Sequence, residues 1–124
     1  MNEKQLVKDL YESIVLENAN IYRNLYEEGS SNDDNIIDYW KNALSLYSTF
    51  SEMQKDVFFS IIKTVITDTV SNMLGVIDGS SEIGNKWEFQ LVLNGKTVDN
   101  DLQDSFLEYV EEIEVTNYKQ SSAF

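Results

Sequence analysis

The sequence predicts an α+β domain, mostly helical, with four helices arranged around a long central one and a single β-hairpin between the third and fourth. Three observations predict it. Apolar residues recur at helical spacing from Val57 to Ile77. The period drops to two from Trp87 to Leu93, directly before Asn94-Gly95. Helical spacing then returns at Leu102. A change of apolar period marks a change of secondary structure, because side chains share a face every 3.6 residues in a helix and every two in a strand.

The central helix is expected over about 52–77. Val57, Phe58, Ile61, Ile62, Val65, Ile66, Val70, Met73, Leu74 and Ile77 hold the i, i+3, i+4 rhythm. Ser51 and Gln54 have capping-box spacing, and Asp78-Gly79 supplies a left-handed stop. The apolar side chains cover an arc of roughly 220° at 100° per residue. A surface helix needs a stripe only a little over 100° wide, so cover on several sides is expected. A run of 18 apolar residues never occurs, which argues against a membrane span.

A first helix is expected over 3–28, with Leu6, Val7, Leu10, Tyr11, Ile14, Val15, Ile21, Tyr22, Leu25 and Tyr26 inward. Asn18 falls inside that arc, which predicts a part-buried amide in need of a partner. Tyr11, Tyr22 and Tyr26 form a flank that reads as a core edge with wet hydroxyls or as a recognition surface. Gly29 to Asp34 is turn-rich. Asp33 or Asp34 is then expected to cap a helix over 34–50 whose core face is Ile36, Ile37, Trp40, Ala43, Leu44, Tyr47 and Phe50. With Ser51 opening the next helix, a sharp corner follows.

Asn94-Gly95 is a strong hairpin signal, because both residues of a type I′ turn need φ > 0. The hairpin is expected over 87–98, with Trp87, Phe89 and Leu91 packed on a helix, since a lone two-stranded ribbon is marginal in water. Asn100 is expected to cap a last helix over 101–114, facing inward with Leu102, Phe106, Tyr109, Val110 and Ile113. Residues 115–124 read as a frayed tail. Neither a repeat nor a linker divides the chain, so 1–124 reads as one domain.

Composition narrows the chemistry. The 124 residues carry a formal net charge of −13 and contain no Cys, His or Pro. The usual general base, the commonest metal ligand and any thiolate chemistry are therefore missing. Nine Lys and Arg, scattered without a basic stripe, argue against nucleic acid, and the negative field also repels anionic membrane. The start, MNEKQLVKDLYESI, lacks the unbroken apolar core of a secretory signal. Frequent Asn, Ile, Lys, Asp and Tyr suggest an AT-rich bacterial genome. A cytoplasmic protein is expected, with no cofactor.

The last helix carries the candidate binding residues Asp101, Asp104, Glu108, Glu111 and Glu112, on the face opposite Leu102 and Phe106. No Lys or Arg occurs from Thr97 to Tyr118. Like charges at i, i+4, such as Asp104 with Glu108 and Glu108 with Glu112, each cost a few tenths of a kcal/mol. Acids near a helix C-terminus also oppose the dipole, which on these boundaries disfavours Glu111 to Glu114. Such a face serves either a basic protein partner or solubility alone. As a calcium loop the stretch from Asp99 fails: its sixth residue is Asp104 rather than Gly and its twelfth is Val110 rather than Glu. No metal ligand is assigned.

Catalysis finds little footing. Asp68 is the one acid expected near the core, on an arc with Thr64 and Ser71, where it reads as a structural carboxylate. Asp78 lies about 15 Å further along the axis at 1.5 Å per residue, too far for joint work on one bond. No glycine-rich phosphate loop exists and no serine has an evident base, so no catalytic residue is assigned. A carboxylate hydrolase built on Asp68 is the minor alternative.

The stretch Asp68-Thr-Val-Ser-Asn-Met-Leu-Gly-Val-Ile-Asp78-Gly79, followed by a strand, Asn94-Gly95 and Leu102-Gln-Asp-Ser-Phe-Leu-Glu-Tyr, resembles small acidic bacterial immunity proteins of polymorphic-toxin systems and similar Firmicute domains. The resemblance spans roughly residues 50–114. It implies a cytoplasmic, non-catalytic inhibitor that binds and blocks a toxin domain, often a basic nuclease. The alternative is a structural or assembly subunit acting as a homo-oligomer; the sequence leaves the oligomeric state open.

Overall fold

Residues 3–28 form one long rod in the computed structural model, which describes residues 3–122, the side chains of 85 and 116–122 excepted. The rod is α1 (Glu3–Leu10), a π-helical stretch (Tyr11–Leu16) and α2 (Glu17–Glu28). In an α-helix, residues four apart drift around the axis. The looser π winding offsets that drift and keeps Val7, Tyr11 and Val15 all buried. The rest is α3 (Asp38–Tyr47), α4 (Glu52–Asp78), a 3₁₀ turn (Gly84–Lys86), β1 (Val92–Leu93), β2 (Lys96–Thr97) and α5 (Leu102–Ser122). The mostly helical α+β class is as the sequence predicts.

Both signals for α4 act as read. Ser51 and Gln54 exchange the two bonds of a capping box, and Gly79 closes the helix at φ 78°. The amides of Ser80 and Ser81 both donate to the Gly75 carbonyl, so a last-turn carbonyl finds partners.

Two hydrophobic cores lie along α4. One gathers Val7, Tyr11, Val15, Leu74, Val98, Leu102, Phe106 and Val110 from α1, the π stretch, α4, the hairpin and α5. The other gathers Tyr26, Leu44, Tyr47 and Phe59, with Trp40, Phe50 and Phe58 packed around them. Of the face expected on α3, Ile37 alone stays out, 65% exposed.

Several expected boundaries move. α3 begins at Asp38 with no side-chain cap. Asp33 instead accepts from the amide of Asn35, and Asp34 pairs with Lys41 at 3.7 Å. The ladder shrinks to Val92 opposite Thr97 and Leu93 opposite Lys96. Asn94 (φ 50°) and Gly95 (φ 82°) make the turn as expected. Trp87 and Phe89 remain exposed, while Leu91, Leu93 and Val98 reach the aliphatic core. The polar loop before them runs close under the end of α4: a Cβ on Gly84 would lie 2.6 Å from the Val76 carbonyl oxygen. α5 does not end at 114. It continues to Ser122, so most of the stretch expected to fray is helical; residues 123 and 124 fall outside the described residues.

The largest departure concerns cover. Only half of α4 is enclosed. Phe59, Thr67, Ser71, Leu74, Gly75 and Asp78 are buried, with Phe58, Ile62, Ile66, Val70 and Ile77 packed beside them. Val57, Ile61, Val65 and Met73, expected in the core, point outward. By length and composition alone, α4 is long and apolar enough to cross a bilayer, with mean hydropathy 1.3 over its most apolar 18 residues. Lys63 and Asp68 interrupt that stretch.

Candidate functional site

The outer face of α5 and the residue just before it carry the five acids singled out by the sequence, and all five are exposed. They do not form one cluster. Asp101 lies at the helix start beside Glu3 and Asp99. There the hydrogen bond with the Asp101 carboxyl, then burial and the charges of Asp101 and Asp99, push Glu3 above its ordinary carboxylate range, against a lowering backbone bond at Asp99. Asp104 follows in the first turn, where negative charge suits the dipole. Glu108, Glu111 and Glu112 gather with Val115 around a shallow depression further along. Among the described residues, no Lys or Arg pairs with any of the five.

The longer helix changes the energetics of this face. Glu111 and Glu112 stand in mid-helix, with two further turns behind them, so the dipole penalty expected at a C-terminus does not apply. The cost that remains is like-charge repulsion at i, i+4. Beside these acids, α1 and α5 form a groove of about 380 Å³. Lys4, Gln5 and Lys8 line one wall, and Ser105, Glu108, Tyr109 and Glu112 the other. Burial, then the charges of Glu12, Tyr11 and Glu112, raise the Tyr109 hydroxyl above its ordinary range.

Three basic side chains elsewhere lie over aromatic rings. The Arg23 guanidinium sits 4.3 Å from the Phe59 ring centre, Lys55 5.1 Å from Tyr47 and Lys63 5.8 Å from Tyr11. Arg23 and Lys55 also pair with Glu27 and Glu52, so these cations serve acids other than the five on and before α5.

Asp68 is exposed on α4 rather than buried, because the buried row runs through Thr67 and Ser71 instead. Asn18 is half-buried and donates to the Ile14 carbonyl at 2.7 Å. The three tyrosines part company. Tyr11 is 1% exposed and its hydroxyl finds no partner among the described residues, Tyr26 is buried, and Tyr22 is exposed. Among the described residues, no group of three or more Asp or Glu is arranged to hold a metal ion.

A polar junction that sequence reading missed joins α4 to α5. The Asp78 carboxylate accepts from the Gln103 amide at 2.7 Å. It thus caps the start of α5 from a position 25 residues earlier, in place of the expected Asn100. The Gln103 side-chain amide donates to Ser71 Oγ, and its oxygen accepts from Ser80 Oγ. Gly75 makes room for that side chain, since a Cβ there would lie 2.8 Å from Gln103 Oε1. Ser71, Gly75, Asp78 and Gln103 together hold α4 and α5 to one another. On α4, Ser71, Gly75 and Asp78 share the small and polar side of the helix, which sequence reading did not expect to be packed against another helix.

Comparisons with protein-family models, with characterised proteins and with solved structures found no match.

Proposed function

We propose that this chain is a non-catalytic protein-binding domain, an immunity-type inhibitor that neutralises a basic toxin domain in the cytoplasm through the acidic face of α5. The observation that carries the reading is the row of exposed acids from Asp101 to Glu112, without a cationic partner among the described residues. Long-range attraction draws in a basic partner, and contact then blocks its active surface. Complementary charge acts mainly on the association rate and its salt dependence.

The test inspects the gene directly upstream: the proposal expects it to encode a secreted toxin, whose C-terminal domain is then co-expressed with this chain. Co-expression should rescue growth. Glu108→Lys, Glu111→Lys and Glu112→Lys together should slow association by at least about tenfold and flatten its dependence on salt, as expected when steering is lost. Association unchanged by the triple reversal sinks the acidic-face mechanism.

The second reading is a homo-oligomeric assembly subunit. Apolar side chains left outside on α2 and α4, Ile21, Leu25, Ile61 and Val65 among them, favour it. A monomer in sedimentation at high protein concentration rules it out.

A further inference from the structure

The outward face of α4 is organised as two parallel rows. Met53, Val57, Ile61, Val65, Thr69 and Met73 follow one another at i, i+4, all exposed. Beside them run Asp56, Ser60, Thr64, Asp68 and Asn72, also exposed. Side chains four apart form the ridges by which helices interlock. Here an apolar ridge adjoins a row of small or acidic residues, and a shallow groove of about 400 Å³ follows their N-terminal half.

Local propensity does not ask for this ridge. Val57, Ile61 and Val65 are β-branched, poorer helix formers than Ala, Lys or Glu, and they lie open to water at 54%, 57% and 58%. Contiguous apolar surface of this kind, rimmed by polar residues, marks a contact site.

Charge selects the occupant. The charged residues in the second row, Asp56 and Asp68, are acids, and the chain carries −13 overall. A second copy laid parallel sets each acid against itself; laid antiparallel about the middle of the ridge, it sets Asp56 against Asp68. An anionic membrane surface is repelled by the same charges. We infer that the α4 ridge docks a basic amphipathic helix of a partner protein, its apolar stripe against Val57, Ile61 and Val65 and its cations toward Asp56 and Asp68.

The probe is an 18-residue helical peptide of Leu and Lys in amphipathic order, with a Leu/Glu peptide of the same pattern as control. Fluorescence anisotropy should show saturable binding of the Lys peptide and none of the Glu peptide. Val57→Ala, Ile61→Ala and Val65→Ala together should weaken binding about tenfold, which corresponds to 1.4 kcal/mol. Alanine raises helix propensity, and unchanged circular dichroism and urea midpoint separate this loss from unfolding. Glu108→Gln, Glu111→Gln and Glu112→Gln, which neutralise α5, should change peptide affinity less than threefold. Equal affinity of the ridge variant and the parent overturns the inference. So does loss of the peptide in the α5 variant alone, which leaves the acidic-face proposal standing. Two further outcomes also overturn it: a parent dimer that the ridge variant dissociates, and ridge-dependent binding to phosphatidylcholine or phosphatidylglycerol vesicles.

Discussion

Toward its C-terminal end, α4 meets a core of mostly aliphatic side chains; toward its N-terminal end, it meets aromatic rings. In the first, Val7, Val15, Leu74, Leu102 and Val110 close around Tyr11 and Phe106. In the second, Tyr26 touches Trp40, Tyr47, Phe58 and Phe59 with ring centres 4.9 to 6.4 Å apart. The closures differ too. Asp78 and Gln103 bind α5 across the aliphatic end, whereas Arg23 and Lys55 lie over rings at the aromatic end. The aliphatic core draws on residues 7 to 110, so it depends on chain segments meeting from far apart. The aromatic core lies within residues 26 to 62, where α2, α3 and α4 follow one another through short corners. Long-range closure needs a specific anchor; neighbouring elements can rely on large rings.

The comparison can be broken at its strongest point. Phe106 is fully buried and Phe59 is 7% exposed. Replacing Phe106 with Ala should cost about 4 kcal/mol, and Phe59→Ala about 3, within the usual span for such cavities. Urea unfolding ranks the two, and the reverse order would show that the aromatic end is the better packed.

The junction comes next. Asp78→Ala removes the cap on α5 and should cost about 1 to 2 kcal/mol. Hydrogen exchange should speed up in the first turn of α5 and stay unchanged in α3; uniform acceleration would deny Asp78 its local role.

A smaller effect has the opposite sign. The Tyr11 hydroxyl is buried without a partner among the described residues, and an unmet hydroxyl costs about 1 to 3 kcal/mol. Tyr11→Phe should therefore stabilise the fold by roughly 1 kcal/mol, seen as a higher urea midpoint with unchanged slope. A loss of stability would mean that the hydroxyl holds something in place.

The smallest effect concerns Glu3, whose hydrogen bond with Asp101 heads the causes that raise it. A carboxyl raised in the folded state holds its proton more tightly there than in the unfolded chain. Its stabilising contribution is complete below the unfolded value and disappears as pH rises through the folded value. Stability should thus gain slightly as pH falls across that window. Glu3→Gln should flatten the gain and raise neutral-pH stability a little, by relieving Asp99 and Asp101; an unaltered profile would separate Glu3 from them.

Much of this was legible where the cause is local. Ser51 with Gln54, Asp78-Gly79 and Asn94-Gly95 act within a few residues, and each does what its chemistry predicts. Asn18 also meets its partner four residues back. Asp68 and Asp78 were read the wrong way round. On a helical wheel Asp68 shares the inward arc, but the helices that cover α4 follow the row through Thr67 and Ser71 and leave Asp68 outside. Asp78 read as a helix-end residue, and nothing within a turn of it announces a bond to Gln103. Trp87 and Phe89 alternate like a strand, yet the helices provide no surface to receive them. The acids of α5 were legible, and Glu108, Glu111 and Glu112 gather by helical spacing alone; what α1 adds is Glu3 beside Asp101.

Sequence alone determined that the chain is mostly helical, how α4 starts and stops, where the hairpin turns and how negative the composition is, because each follows from torsional preference, nearby hydrogen bonds or a count of charges. Tertiary structure decided which half of α4 is covered, that Asp78 caps α5, and that Val57, Ile61 and Val65 face water. Those outcomes depend on the direction in which separate helices cross, and a helix with apolar residues on most of its circumference does not itself choose which side its neighbours take.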